Sequence, residues 1–129
     1  MLKVVAALIM KDGKILIAKR STGNKNVIGK WEFPGGKVEE NETEKQAIER
    51  EIKEEFDILV RAEKFVTNVI SKDKDRQIDL RLYLCKFIDG EIKLSAHSDY
   101  RWVHKDEILD FDLADLDVEL VRKMEDKYS

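Results

Sequence analysis

Residues 36–58 read GKVEENETEKQAIEREIKEEFDI, and the part from Thr43 to Phe56 restricts the possible fold more than any other segment. Thr43 with Gln46 three residues later has the form of a capping box, a helix start signal. Ala47, Ile48, Ile52 and Phe56 then recur at helical spacing with no Gly or Pro among them, so the spacing predicts a helix over 43–56. Ile48, Ile52 and Phe56, with Leu59 as a candidate extension, make one apolar stripe. At about 100° per residue, Arg50, Glu51, Glu54 and Glu55 cluster on a different face. Glu51 stands three residues from Glu54 and four from Glu55, spacings at which like charges destabilise a helix. Two arrangements relieve that repulsion. One is a solvated face on which Arg50 neutralises the carboxylates, the ordinary outcome in a chain with 40% charged residues. The other is a hard divalent cation. Mg²⁺ takes oxygen ligands and is usually held by a few carboxylates together with substrate phosphates.

The context favours the cation. The helix follows WEFPGGKVEENE, which supplies a tight apolar-Pro-Gly-Gly turn and a further carboxylate, Glu42, just before the helix start. Gly36, Glu42, Arg50, Glu51, Ile52, Glu54, Glu55 and Ile58 fit the spacing G-x5-E-x7-R-E-U-x-E-E-x-G-U, where U is bulky and apolar, at every defined position but one. In this pattern the chain resembles the Nudix hydrolases, which cut a phosphoanhydride in a nucleoside diphosphate linked to another group. KWEFPGGKVE looks like their MutT branch, which includes nucleoside triphosphate pyrophosphohydrolases and the enzymes of CTP and oxidised nucleotides. The resemblance runs over essentially the whole chain. It is strongest at 30–58, weaker from Val4 to Arg20 and suggestive at 100–121.

The resemblance implies an α/β (α+β) fold, the Nudix α/β/α sandwich with a mixed central sheet. It implies that Glu51, Glu54 and Glu55 bind Mg²⁺ or Mn²⁺ and that Arg50 orients them by ion pairing. Gly35 and Gly36 bring backbone close to metal and phosphates, with a carbonyl ligand from Gly36. Glu51 and Glu55 are the leading ligands, and Glu54 is a further ligand or the base. The catalytic set is thus Glu54, Arg50 and Glu51. A polar residue at the start of the C-terminal helix meets the nucleobase in the MutT-like branch, and Asp115 in LADLDVEL aligns with it.

Three departures stand out. Asp57 occupies the position of the last glycine of the pattern, and Asn41 one where relatives often have glycine. Asp and Asn both tolerate a left-handed backbone. Many relatives carry a glutamate, as ligand or base, in the loop before a strand beginning RW or EW. Here that loop is SAHSDYRW, with Ala96, His97 and Asp99 but no glutamate, so the base is left open.

The remaining candidates have two readings each. Asp115 is either an acceptor for an exocyclic amine, as on cytosine or guanine, or a helix-cap residue. Phe33 either stacks on a base or belongs to the core. Arg20, ending the second predicted strand, and Lys37, following the glycine pair, either meet phosphate or are surface charges. His97 and His104 lack ligand-spaced partners and read as loop residues.

At 129 residues a single domain spanning 1–129 is expected, long enough for a full core. The net charge of −3 and pI near 5.5 argue against a nucleic acid polymer as partner, which would call for a basic face. The one cysteine, Cys85, excludes an internal disulfide and reads as a buried thiol in an apolar strand. The N-terminal MLKVVAALIMKDGK is too short to span a bilayer and lacks a signal-peptide cleavage region. It reads as a strand of a cytoplasmic protein with no membrane partner.

Elsewhere, Val4–Met10 and Ile15–Arg20 flank a Lys-Asp-Gly-Lys hairpin signal. Residues 21–30 form a polar loop and Pro34-Gly35-Gly36 a turn. Leu59–Ser71 and Gln77–Ile88 read as strands joined by a turn at 72–76, with Ile78, Leu80, Leu82 and Leu84 on one face of the second. Asp89-Gly90 is another hairpin signal, Tyr100–Val103 a short strand, and Lys105–Leu109 a helical turn. Leu116, Leu120 and Met124 line a C-terminal helix.

The reaction expected is hydrolysis of a nucleoside triphosphate to monophosphate and pyrophosphate, by a monomer or homodimer. Alternative substrates are a nucleotide sugar, a dinucleoside polyphosphate or capped RNA. A non-catalytic nucleotide-sensing module is a further alternative, which the full set of box glutamates disfavours.

Overall fold

The computed structural model describes every residue except Asn24, Lys74 and Ser129. The elements, in chain order, are β1 (Leu2–Lys11), β2 (Lys14–Arg20), β3 (Trp31–Glu32), β4 (Gly35–Lys37), α1 (Glu44–Phe56), β5 (Leu59–Asp73), β6 (Arg76–Asp89), β7 (His97–Val103), a 3-10 turn (Lys105–Asp110) and α2 (Asp115–Tyr128). Among the described residues the strands form one mixed sheet in the order β3-β2-β1-β6-β5, with β4 paired to β1 and β7 to β2. β1 and β6 are parallel, from Leu2 opposite Ile78 to Met10 opposite Lys86. A parallel pair needs a crossover connection. The chain between them, with α1 on one face, supplies it. No helix of the described residues is long and apolar enough to cross a membrane.

Alternation along β1 builds two cores, because successive strand side chains point to opposite faces. Ala6 and Leu8 join Ile17, Leu82, Leu120 and Val121 on the α2 side. Val5, Ala7 and Ile9 join Leu16 and the apolar stripe of α1 on the other. Ala47, Ile48, Ile52 and Phe56 are wholly buried, and burying each large side chain contributes roughly 1.5–3 kcal/mol. The helix start is the predicted capping box. The Gln46 N–H donates to Thr43 Oγ1 at 3.1 Å, and the Thr43 N–H donates to Gln46 Oε1 at 2.8 Å. Asp57 ends the helix in the left-handed region, with φ 56° and ψ 33°, and Asn41 is left-handed too, at φ 65°.

The hairpin between β1 and β2 turns on Asp12 and Gly13, both with positive φ, the twist-matched geometry that Asp-Gly favours. Cys85 lies fully buried in β6, and burial pushes its thiol up to about 12.

Four expectations are corrected. Leu59 does not extend the α1 stripe. It opens β5 and is exposed, since Asp57 has already turned the chain away. Gly35 and Gly36 are not a turn but a short strand on β1, with Ala6 opposite Gly35 and Val5 opposite Gly36. Asp89-Gly90 does not make a hairpin: β7 pairs with β2 across the sheet, not with β6. The positive φ of Gly90 instead lets backbone pass close to Ile58. His97 is the buried first residue of β7 rather than a loop residue. Part of the expected loop 21–30 (Asn24) and of the expected turn 72–76 (Lys74) lies outside the described residues.

Candidate active site

Arg50 organises the carboxylates. Its guanidinium meets Glu42 through two bonds, Nε to Oε2 at 3.0 Å and NH2 to Oε1 at 2.7 Å. NH1 reaches Glu51 at 3.0 Å and Glu54 at 3.3 Å, while NH2 donates to the Lys37 carbonyl at 3.1 Å. One planar fork thus ties the α1 face to β4, the strand that carries Gly36, a bidentate role lysine could not copy. Hydrogen bonds from Arg50 hold the Glu42 carboxyl below its ordinary value. The same bonds keep Arg50 firmly protonated.

Gly36 lies hard against Glu51. A Cβ placed on Gly36 would come within 2.6 Å of Glu51 Oε2, so only glycine leaves the carboxylate where it is. Gly35 has a different reason: its Cβ would strike the backbone of Val5 and Ala6. Burial raises the Glu51 carboxyl despite the opposing Arg50. Glu55 has no such partner. Burial, with Glu51 and Glu32 adding to it, pushes its carboxyl up to about 7, and His97 and Arg20 only partly oppose this. Glu54 is the most open of the three, with 59% of its side chain exposed.

Among the described residues no three His, Cys, Asp or Glu side chains converge into an ion-binding group in this arrangement. Arg50 accounts for that, since it draws Glu51 and Glu54 to itself. The donor set still fits a hard divalent cation. Gly36 presents backbone beside the Glu51 oxygens, and Glu55 is a half-buried acid whose charge nothing nearby fully offsets. A cation would remove that penalty.

The other predicted residues are spread around this end of the sheet. Arg20 donates from Nε to the Thr22 carbonyl at 2.9 Å and from NH1 to Glu32 Oε1 at 3.2 Å. The Lys37 side chain is exposed. Asp115 opens α2 on the exposed surface, where its charge acts on Lys30. Phe33 is only 4% exposed and packs in the α2-side core. Its ring is therefore core rather than an open stacking face, a correction to that reading.

Three residues escaped the sequence reading. Glu32, on β3, receives the Arg20 bond and a 3.0 Å contact from His97 Nε2. Asp117, on the first turn of α2, accepts the Phe33 N–H at 2.9 Å. Burial, with the Glu32 charge adding to it, pushes Asp117 up to about 8. The WEFPGG segment carried a signal for Glu32, an acid three residues before the glycine pair. His97 and Asp117 carried none. A cavity of about 700 Å³, lined by Leu8, Met10, Ile15, Val66, Leu84 and Met124 among others, contains none of the predicted site residues.

Residues 1–124 match the family model described as the NUDIX domain. The chain is 36% identical over 121 residues to the CTP pyrophosphohydrolase of Escherichia coli, covering 94% of this chain and 89% of that protein. It is 39% identical over 84 residues to the 8-oxo-dGTP diphosphatase of Proteus vulgaris, covering 64% of this chain and 74% of that one. The solution structure of the E. coli ORF135 protein superposes with a TM-score of 0.85 at 34% identity, over 98% of this chain and 89% of that one. The MutT protein of Methanosarcina mazei superposes at 0.84 with 26% identity, over 97% and 93%.

Proposed function

The chain belongs to the NUDIX family of hydrolases, and from that membership we propose that it hydrolyses a nucleoside triphosphate to the monophosphate and pyrophosphate. Residues 1–129 act as one domain, with Mg²⁺ or Mn²⁺ as cofactor. The observation that carries this reading is the packing of Gly36 against the Glu51 carboxylate, beside an Arg50 fork that reaches Glu42, Glu51 and Glu54. A helix of surface charges would not need a glycine at that contact. The names of two relatives, one a CTP pyrophosphohydrolase and one an 8-oxo-dGTP diphosphatase, support a triphosphate substrate.

When bound, the cation polarises phosphate oxygens and lowers the pKa of a coordinated water. The chain's own residues do the rest. Gly36 through its carbonyl, with Glu51 and Glu55, forms the ligand set. Arg50 holds Glu51 and Glu54 in place, so little reorganisation is left for the reaction itself. Glu54, the most exposed of the three glutamates, is placed to accept a proton from the attacking water. Arg20 and Lys37 supply positive charge for the phosphates. Asp115 accepts from an exocyclic amine of the base.

A nucleotide screen with Mg²⁺, reading pyrophosphate and orthophosphate separately, tests this. It should include CTP, dGTP and its oxidised form, UTP, a nucleotide sugar, ADP-ribose and a dinucleoside polyphosphate. Pyrophosphate released from a triphosphate supports the proposal. Cleavage confined to the other substrates sinks it.

A further inference from the structure

The one described side-chain atom that is buried without a hydrogen-bond partner is His97 Nδ1. The imidazole has 2% of its surface exposed and stacks on Phe56, with ring centroids 5.0 Å apart and planes at 25°. Phenylalanine would fill this slot and leave no polar atom without a partner. What the imidazole adds is its other nitrogen, which lies 3.0 Å from Glu32 Oε2. A carboxylate only accepts, so Nε2 carries the proton and donates it.

Glu32 is therefore held at both oxygens, Oε1 by Arg20 at 3.2 Å and Oε2 by His97. Its side chain is 17% exposed. Two elements meet there. Glu32 sits on β3, opposite Ala18 of β2, four residues before Gly36. His97 opens β7, opposite Arg20 on the other edge of β2. The carbonyl of its neighbour Ala96 is pinned by Ser21 Oγ at 2.8 Å. The charge of Glu32 bears on Glu55 of α1 and on Asp117 of α2. A carboxylate locked this way, beside acids of both helices, is more than a surface ion pair. The buried first residue of β7, His97, turns inward and grips Glu32.

We propose that Glu32 is a working carboxylate of the active site and that His97 is the residue that positions it. This rests on the cation-dependent reading above. Ordering a carboxylate through a second residue is commonly worth about 10- to 100-fold in metal affinity or activity.

The test uses Glu32→Gln, His97→Gln, His97→Asn and the double variant Glu32→Gln/His97→Asn. Glutamine places its amide nitrogen near the position of imidazole Nε2, whereas asparagine reaches only to that of Nδ1. For each protein, Mn²⁺ affinity is measured by electron paramagnetic resonance without nucleotide. Pyrophosphate release from CTP or dGTP gives kcat and KM below each melting range. Glu32→Gln should lower kcat and Mn²⁺ affinity by about 10- to 100-fold with little change in KM. His97→Asn should follow it, His97→Gln should stay within about 3-fold of the parent, and the double variant should be no worse than Glu32→Gln alone.

A parent-like Glu32→Gln overturns the proposal. So do equal losses in His97→Gln and His97→Asn, or a His97→Asn loss that persists when Glu32 is already changed. If the parent released no pyrophosphate from any triphosphate, the proposed reaction would fall, and the Mn²⁺ affinities would still decide the role of the pair.

Discussion

Replacing Gly36 by alanine separates a structural glycine from a functional one. The added Cβ would lie 2.6 and 2.7 Å from the two Glu51 carboxylate oxygens. Ordinary carbon–oxygen contact needs about 3.3 Å, so the carboxylate must move by roughly 0.5 Å or more. It can, because it is the far end of a flexible side chain. Gly36 does not have a positive φ, so alanine suits the backbone and gains about 0.4–1 kcal/mol from a less flexible unfolded chain. The displaced Glu51 weakens a half-buried pair with Arg50 worth about 1 kcal/mol. Stability should therefore change by less than about 1 kcal/mol, or a few degrees in Tm. Activity should not survive so well, since misplacing a catalytic group by a fraction of an ångström to 1 Å costs up to about 100-fold in kcat. Gly35→Ala is the contrast. Its Cβ would collide with the backbone of Val5 and Ala6, which cannot swing aside, so the β1–β4 pairing must open at a cost of roughly 1–3 kcal/mol. Thermal melts and pyrophosphate release on both variants decide the matter. A folded Gly36→Ala with parent-like kcat would refute the placement of Glu51, and equal destabilisation by the two variants would refute the steric argument.

The other predictions are simpler. Asp117 has its folded-state pKa raised to about 8, so its contribution to stability is present below about 3.8 and is lost as pH rises through about 8. Asp117→Asn keeps an acceptor for the Phe33 N–H and removes that loss. Denaturant midpoints should show the variant gaining on the parent from pH 5 to pH 9, and parallel profiles would contradict this. Asp57→Gly should raise Tm modestly, because glycine adopts the left-handed backbone without strain. The gain is reduced by losing the Lys53 pair at 3.0 Å, so it should be larger in high salt, and a salt-independent loss in the melt would tell against this. Asp115→Ala should lower kcat/KM for CTP and dGTP by about 10- to 150-fold and leave UTP nearly unchanged. A uniform effect on the three would leave base recognition to another residue.

The sequence reading succeeded where the physics is local. The capping box at Thr43, the buried stripe from Ala47 to Phe56 and the left-handed backbone at Asn41 and Asp57 all depend on neighbours within a few residues. It failed where the partner is remote. Glu32 and His97 are 65 residues apart and meet only because β3 and β7 flank opposite edges of β2. No spacing rule encodes that. Asp89-Gly90 failed in the same way: the dipeptide marks a tight backbone position but cannot say which strand comes next to which. Asp115 and Asp117 look equivalent in the chain. About 200° apart around α2, one faces solvent and the other is buried against the backbone of Phe33. The phase of a helix relative to a strand far away in sequence decides which acid is buried.

The central claim is that Glu51 and Glu55, with the Gly36 backbone, hold a divalent cation that drives release of pyrophosphate. Titrating free Mg²⁺ against turnover of CTP and dGTP, with pyrophosphate and orthophosphate read separately, tests it most directly. The parent enzyme should be inactive without the cation and should release one pyrophosphate and no orthophosphate per monophosphate formed. Glu51→Gln and Glu55→Gln should remain folded and lose kcat by orders of magnitude at every Mg²⁺ concentration. Turnover in the presence of excess chelator, or Mg²⁺-dependent activity retained in both variants, would contradict the account.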